Sequence, residues 1–459
     1  MGKGGQNFTK TSGKSARIRD DDVATTSASP KASGSSSSSS NDKVWKSPYQ
    51  PLTSNITLPT KGQIRDVIPP ECFERSYVKS MLYLFRDTAI AVAFVYATSQ
   101  LLSTDIPIRK AQDLFTTDGM TSMIAWSLGW MTYGFWMGTI MTGPWVLAHE
   151  CGHGAFSPNQ TFNDVVGFIV HQFLLVPYFA WQYTHAKHHR RTNHLQDGES
   201  HVPSTAEENG YDSVQQERHS LYAALHESMG DGVFAMFQIV THLYLGWPIY
   251  LLGFASTGKW KHDGTPLAPG DVADHFRPNS PMFTNKVRGK ILLSTITEIA
   301  SLLALFYIGH TFGHLKVFLW YWLPYLTVNA WLVLYTWLQH TDPSVPHYGE
   351  GEWTWVRGAL STIDRPYGIF DFFHHTIGST HVVHHLFHEM PWYNAGVATK
   401  HVKEYLEPMG LYNYDPTFWV AAMWRIAHTC HYVDTDTGIQ YFKSFDDAPR
   451  RNETKVKKS

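Results

Sequence analysis

Apolar residues concentrate in runs at about 81–102, 123–148, 161–181, 232–256, 289–313 and 315–339. Each is near the ~20 residues a helix needs to cross ~30 Å of hydrocarbon. Residues 1–62 are the opposite case. They carry a serine run from Ser35 to Ser40 and few apolar side chains, and such a segment cannot bury enough surface to offset its ordering entropy. The pattern predicts a disordered tail over 1–62 without a secretory signal, since no apolar stretch lies within it. Gly2 does not start a myristoylation motif, because Gln6 stands where serine or threonine is required. Residues 340–459 are polar to mixed, with glycine and proline punctuation. They read as a cytosolic part packed on a membrane domain of 63–440, with a flexible basic tail over 441–459.

Composition narrows the classes. Lys plus Arg number 37 and Asp plus Glu 39, a formal net charge of −2. No basic field exists for a nucleic acid. Three cysteines cannot make a disulfide framework. The 17 Trp, 23 Tyr and 26 Phe suit a protein at membrane–water interfaces.

The 26 histidines change the picture most, because imidazole is the commonest side-chain metal ligand. Three clusters stand out: His149-Glu150-Cys151-Gly152-His153, His185-Ala186-Lys187-His188-His189 and His381-Val382-Val383-His384-His385. Residues three and four apart share a helix face, so each cluster aims imidazoles in a common direction. A protein of this histidine content gives roughly 0.08 HxxHH patterns by chance, and here there are two. Seven or more nitrogens exceed what one ion accepts, so two ions are implied, and redox capacity beside a bilayer points to iron and oxygen. His171, His194, His201, His347, His375 and His388 read as hydrogen-bonded structural residues. Two other readings exist. His149-Glu150-x-x-His153 fits an intramembrane zinc protease with Glu150 as general base, but that leaves both HxxHH clusters unused. A metal transporter would place its ligands at the bilayer midplane, whereas these lie at the ends of apolar runs.

One site cannot be divided by a bilayer, so the clusters must share a face, which requires an even number of crossings between them. Spans over 81–102, 123–148, 289–313 and 315–339 satisfy this. The runs 161–181 and 232–256 are then interfacial or re-entrant, a state tolerated where protein covers the backbone. Lys187, Arg190 and Arg191 place the shared face in the cytosol. The expected fold is all-α: a polytopic membrane protein with four transmembrane helices, interfacial or re-entrant helices, and a cytosolic helical cap holding a di-iron site.

At these same residues the sequence resembles the membrane fatty-acid desaturases with three histidine boxes, and is most similar to Δ12 (ω-6) acyl-lipid desaturases, algal and diatom members in particular. The resemblance spans roughly 60–435. It is carried by HECGHGAFS at 149–157, FLLVPYFAWQYTHAKHH at 173–189, WLQHTDPSVPHY at 337–348, WTWVRGALSTIDRPYGIF at 353–370 and THVVHHLFHEMPWYNA at 380–395. It implies an endoplasmic-reticulum enzyme with both termini cytosolic. That enzyme would use O2, two iron ions and electrons from cytochrome b5 and its NADH-dependent reductase. It would convert oleoyl to linoleoyl groups on phospholipid. The family's metal ligands map to His149, His153, His185, His188, His189, His381, His384 and His385, with the additional histidine after the last span mapping to His340. Glu150 is a candidate partner for a ligand imidazole. No His-Pro-Gly-Gly motif occurs, so the donor is a separate protein. Ser379 replaces an acidic residue common in the plant branch, and Gly154 stands where plants often carry a third histidine. An ω-3 desaturase or a fatty-acyl hydroxylase shares this architecture. The end Lys455-Val456-Lys457-Lys458-Ser459 resembles a dilysine retrieval signal.

Overall fold

A computed structural model describes residues 56–108, 110–211, 220–253, 259–268 and 270–448. The expected tail over 1–55 and the terminal 449–459, including the retrieval-like end, lie outside the described residues. Within 56–62, Ile56 and Leu58 already pack against a buried core and Thr60 caps the first helix, so packed structure begins before residue 63. At the other end Phe445 is buried, which carries the packed body to 448 rather than 440.

Among the described residues the fold is all-α apart from isolated bridges and a two-residue antiparallel ladder, β1 (His347–Tyr348) with β2 (Ile439–Gln440). The helices in order are α1 (Lys61–Asp66), α2 (Tyr77–Leu101), α3 (Thr117–His153), α4 (Gln160–Phe173), α5 (Tyr178–Arg190), α6 (Leu221–Met229), α7 (Asp231–Leu251), α8 (Arg288–Phe312), α9 (His314–Val317), α10 (Leu323–His340), α11 (Trp355–Leu360), α12 (Ile369–Phe373), α13 (His381–Leu386), α14 (Trp392–Leu406) and α15 (Trp419–Thr429).

At 37 residues, α3 is about 55 Å long and forms the axis. Thr116 caps its start by accepting from Gly119 N–H. It ends at Gly154, whose φ of +75° lies in the left-handed region that only glycine enters freely. α2 runs antiparallel to α3. Ser80 Oγ donates to Phe156 O (2.6 Å) at one end, and Trp126 and Trp130 Nε1 donate to Ser103 O (2.9 and 3.1 Å) at the other. α10 runs parallel to α3, with Trp331 Nε1 donating to Thr139 Oγ1 at 3.0 Å. The two backbones approach closely at Gly134 and Gly138, where a Cβ would collide with Leu323, Thr327 and the Pro324 carbonyl.

α4 and α5 meet at a 109° bend. α4 begins beside the end of α3, with Gln160 against Gly154. α5 returns to the same level, while Gln172 near the bend donates to Ser301 Oγ on α8 (2.8 Å). α7 lies antiparallel to α10, His242 stacking on Trp337 (4.5 Å) and Gly246 meeting Val333. Lys259 N–H donates to Gln196 O (3.2 Å) just past α5.

Among the described residues, four helical segments are long and apolar enough to cross a membrane, Tyr77–Leu101, Asp231–Leu251, Arg288–Phe312 and His314–His340, or five if the bent α4–α5 pair is one span. The expected number is met, but the membership differs. The 123–148 span is not among them and the 232–256 region is. The reason is environmental. α3 is flanked by α2, α4 and α10, so tryptophan, tyrosine, threonine and glycine replace the aliphatic residues that lipid contact would demand, which lowers its hydropathy without shortening it.

The remaining helices form a cap over the ends of α3 and α10. Arg365 is fully buried. Its guanidinium meets Asp415 (3.0 Å) and Asp342 (3.3 Å) and donates to the Leu338 carbonyl. Arg425 joins the same two carboxylates. The neighbouring Asp364 accepts from Val382 N–H (2.8 Å) and from Tyr412 OH, fixing the start of α13. The Asp364-Arg365 turn thus couples the end of α10 to the third histidine cluster.

Candidate metal centre

Every histidine singled out as a ligand arrives at one place, where the ends of α3, α5 and α10 meet α13. Five of them, His149, His153, His185, His189 and His384, present ring nitrogens within 4.8 Å of one another, and His188, His340 and His385 form a second such group. His381 adjoins the second group, its Nε2 3.0 Å from His340 Nε2.

The division follows from helix geometry. Residues i and i+4 share a face while direct neighbours diverge by about 100°. So His149 with His153, and His185 with His189, enter the first group together. His188 turns into the second. In α13 the pattern reverses: His381 and His385 form the pair facing the second group, and His384 joins the first. The second group would then hold three imidazoles from these clusters, and His340, delivered by the last residue of α10, makes the fourth.

Spacing fits metal coordination. Nε2 atoms of His149 and His153 are 3.2 Å apart, of His185 and His149 2.8 Å, of His189 and His185 3.2 Å, and of His188 and His340 3.2 Å. Adjacent ligands at right angles on an ion with bonds of about 2.1 Å stand about 3.0 Å apart. Three of the outward nitrogens are held by protein. His149 Nδ1 donates to Glu150 Oε1 (3.0 Å), and His188 Nδ1 and His385 Nδ1 meet Ser200 Oγ (2.9 Å) and Thr192 Oγ1 (3.1 Å). Meanwhile the Nε2 atoms of His384 and His385 are buried without a protein partner among the described residues. Such outer contacts fix tautomer and ring orientation at metal sites. Burial, reinforced by neighbouring imidazoles, holds His384 and His385 well below the ordinary histidine range, and burial brings His381 down to about 3. The rings are therefore neutral at physiological pH, with lone pairs available.

Glu150 clarifies the alternatives. It is 1% exposed and sits behind His149, with Oε1 3.7 Å from His384 Nδ1. A protease base would have to face water on the metal, and this carboxylate supports a ring from its far side. The histidines also lie at helix ends, not mid-span, unlike a transporter's ligands.

The six histidines read as structural mostly take that part. His171 Nε2 lies 3.3 Å from Trp145 O, His194 Nε2 3.1 Å from Glu350 and His375 Nε2 2.7 Å from Asp87. His347 is buried in β1, and His201 occupies a left-handed turn. His388 differs. Its ring stands 4.9 Å from that of His153 and 5.2 Å from that of His189, and burial lowers it to about 4. Its spacing of three after His385 was the available signal, but α13 ends at Leu386 and the turn that brings His388 inward is a tertiary feature.

Comparison with known proteins agrees with this geometry. Residues 124–417 match the family model described as fatty acid desaturase. A Delta(12)-fatty-acid desaturase of Arabidopsis thaliana is 40% identical over 376 residues, covering 82% of this protein and 88% of that one. An omega-6 fatty acid desaturase, endoplasmic reticulum, of Brassica juncea is 40% identical over 378 residues, 82% and 88% of the two proteins. A Delta(12) fatty acid desaturase of Mortierella alpina is 38% identical over 402 residues, 85% and 92%.

Proposed function

Because the protein belongs to the fatty acid desaturase family, we propose that it inserts the Δ12 double bond into oleoyl groups of membrane lipid, giving linoleoyl groups. The convergence of nine imidazoles into a group of five and a group of four carries this reading, with the Δ12 assignment resting on the relatives. The reaction is an oxidation of an unactivated hydrocarbon. A C–H bond in the middle of an alkyl group has no acidic proton and no leaving group, so side-chain acid–base chemistry does not break it. Two iron ions would supply the oxygen-activating chemistry. The first group, His149, His153, His185, His189 and His384, would hold one. The second, His188, His340, His381 and His385, would hold the other. The protein's own work is to keep these rings neutral and oriented through Glu150, Ser200 and Thr192, to exclude water, and to place one methylene pair by the geometry of the bound acyl group. Electrons come from cytochrome b5 and its reductase.

The test is a yeast strain that makes oleate but no polyunsaturated lipid. Expression of this protein is expected to yield an 18:2 diene from endogenous oleate. A triene formed only when linoleate is fed points to an ω-3 enzyme, and a hydroxy acid points to a hydroxylase; either outcome rejects the Δ12 assignment.

The reading also sets a topology in the endoplasmic-reticulum membrane: four crossings by α2, α3, α8 and the α9–α10 unit, with metal centre and termini cytosolic. In support, α3 and α10 end together at the centre, while the α4–α5 pair and α7 each leave and return on its side. Glycosylation acceptors engineered into the 103–116 loop or at Gly313 are expected to be modified. The native acceptor sequences at Asn7, Asn55, Asn159 and Asn452, and one placed near residue 205, are expected to stay unmodified. Modification near 205 breaks the shared face and the topology with it.

A further inference from the structure

Five imidazoles could hold one ion at the first position, and an ion that takes six donors would accept one small exogenous molecule besides them. His388 stands at that group without belonging to it. Its ring packs on those of His153 and His189, yet its nitrogens fall outside the set that converges within 4.8 Å. Its Nδ1 is buried and has no hydrogen-bond partner in the protein among the described residues. A buried polar atom left unpaired is costly, so a partner from outside the polypeptide is called for. The ring is not there through slack. Phe387 before it is buried in the cap core and Met390 after it is buried too, with Met390 N–H donating to Phe387 O at 2.8 Å, so the turn between them is fixed.

Resting on the assignment of iron to the five-imidazole group, we propose that His388 is a hydrogen-bonding residue for a small molecule or anion bound at that iron. It contacts that ligand through Nδ1 and is not itself a metal ligand. A neutral imidazole serves either a water that donates or an anion that accepts, by choice of tautomer.

The experiment uses purified, iron-loaded full-length protein, with azide as the probe and the optical difference spectrum as the readout. His388→Phe keeps a ring but removes the nitrogens, and His388→Asn restores a donor and an acceptor. Both variants are expected to retain two irons per protein. The azide dissociation constant is expected to rise about tenfold in His388→Phe, the scale of one lost hydrogen bond, and to recover most of the way in His388→Asn. His388→Ala replaces the phenylalanine variant if that one does not fold. Unchanged azide affinity with two irons present overturns this role alone and leaves the metal assignment standing. Loss of one iron in both variants also overturns it, by making His388 a ligand. Wild-type protein without iron overturns the metal assignment on which the role depends.

Discussion

His340→Ala is expected to abolish diene formation, with activity reduced by about 100-fold or more, and to lower iron content from two per protein toward one. The magnitude follows from position. His340 is 1% exposed, its Nε2 lies 3.2 Å from that of His188 and 3.0 Å from that of His381, and it completes the four-imidazole group. Losing even an outer partner of a metal ligand costs about 10–100-fold at comparable sites, so loss of a ligand belongs at or beyond the upper end. Full-length protein is expected in the membrane at near wild-type level. His347→Ala is the matched control. His347 is equally buried seven residues later, but its ring meets Phe442 and lies in neither histidine group, so two irons and most activity are expected to remain. Full activity in His340→Ala with one iron lost would detach the second group from catalysis. Full activity with two irons would remove His340 from the ligand set.

The second large effect is expected at a residue that touches no metal. Arg365 is fully enclosed and neutralises Asp342 and Asp415 while satisfying the Leu338 carbonyl. Arg365→Met leaves two buried carboxylates sharing Arg425 alone. Breaking a buried ion network from one side costs about 3–5 kcal/mol, a large part of the ~5–15 kcal/mol that a folded domain has. Accumulation is expected to fall several-fold, and iron with it, since this network joins the end of α10 to the turn before α13. Arg365→Lys is expected to fail nearly as badly, because a single ammonium cannot reproduce the planar fork that reaches three partners. Lys443→Ala, which removes the exposed pair with Asp434, is expected to cost no more than about 1 kcal/mol. Thermal unfolding in detergent, followed with iron content, checks all three.

Much of this was present in the one-dimensional pattern. The apolar runs located the long helices, and the HxxxH and HxxHH spacings located three of the four elements that build the centre, because shared helix faces depend only on the interval between residues. The need for an even number of crossings led to reading 161–181 as interfacial or re-entrant; the α4–α5 pair is bent by 109° there. Hydropathy alone did not rank the helices. It favours α7 over α3, which is the axis of the fold, because a helix packed against other helices needs close-packing residues such as Gly134 and Gly138 more than aliphatic ones. The sorting of histidines into two groups was settled by the way helices cross. His188 and His189 are neighbours in sequence but point to different groups, as do His384 and His385. An isolated histidine, His340, reaches the second group beside the clustered ones, because α10 runs parallel to α3 and delivers it at the level of His149. His388 enters through a turn beyond the end of α13, where no helical interval predicts direction. Local spacing determined which side chains could act together; the crossing of α3, α5, α10 and α13 decided which ones do, since only packing sets the distance between residues remote in sequence.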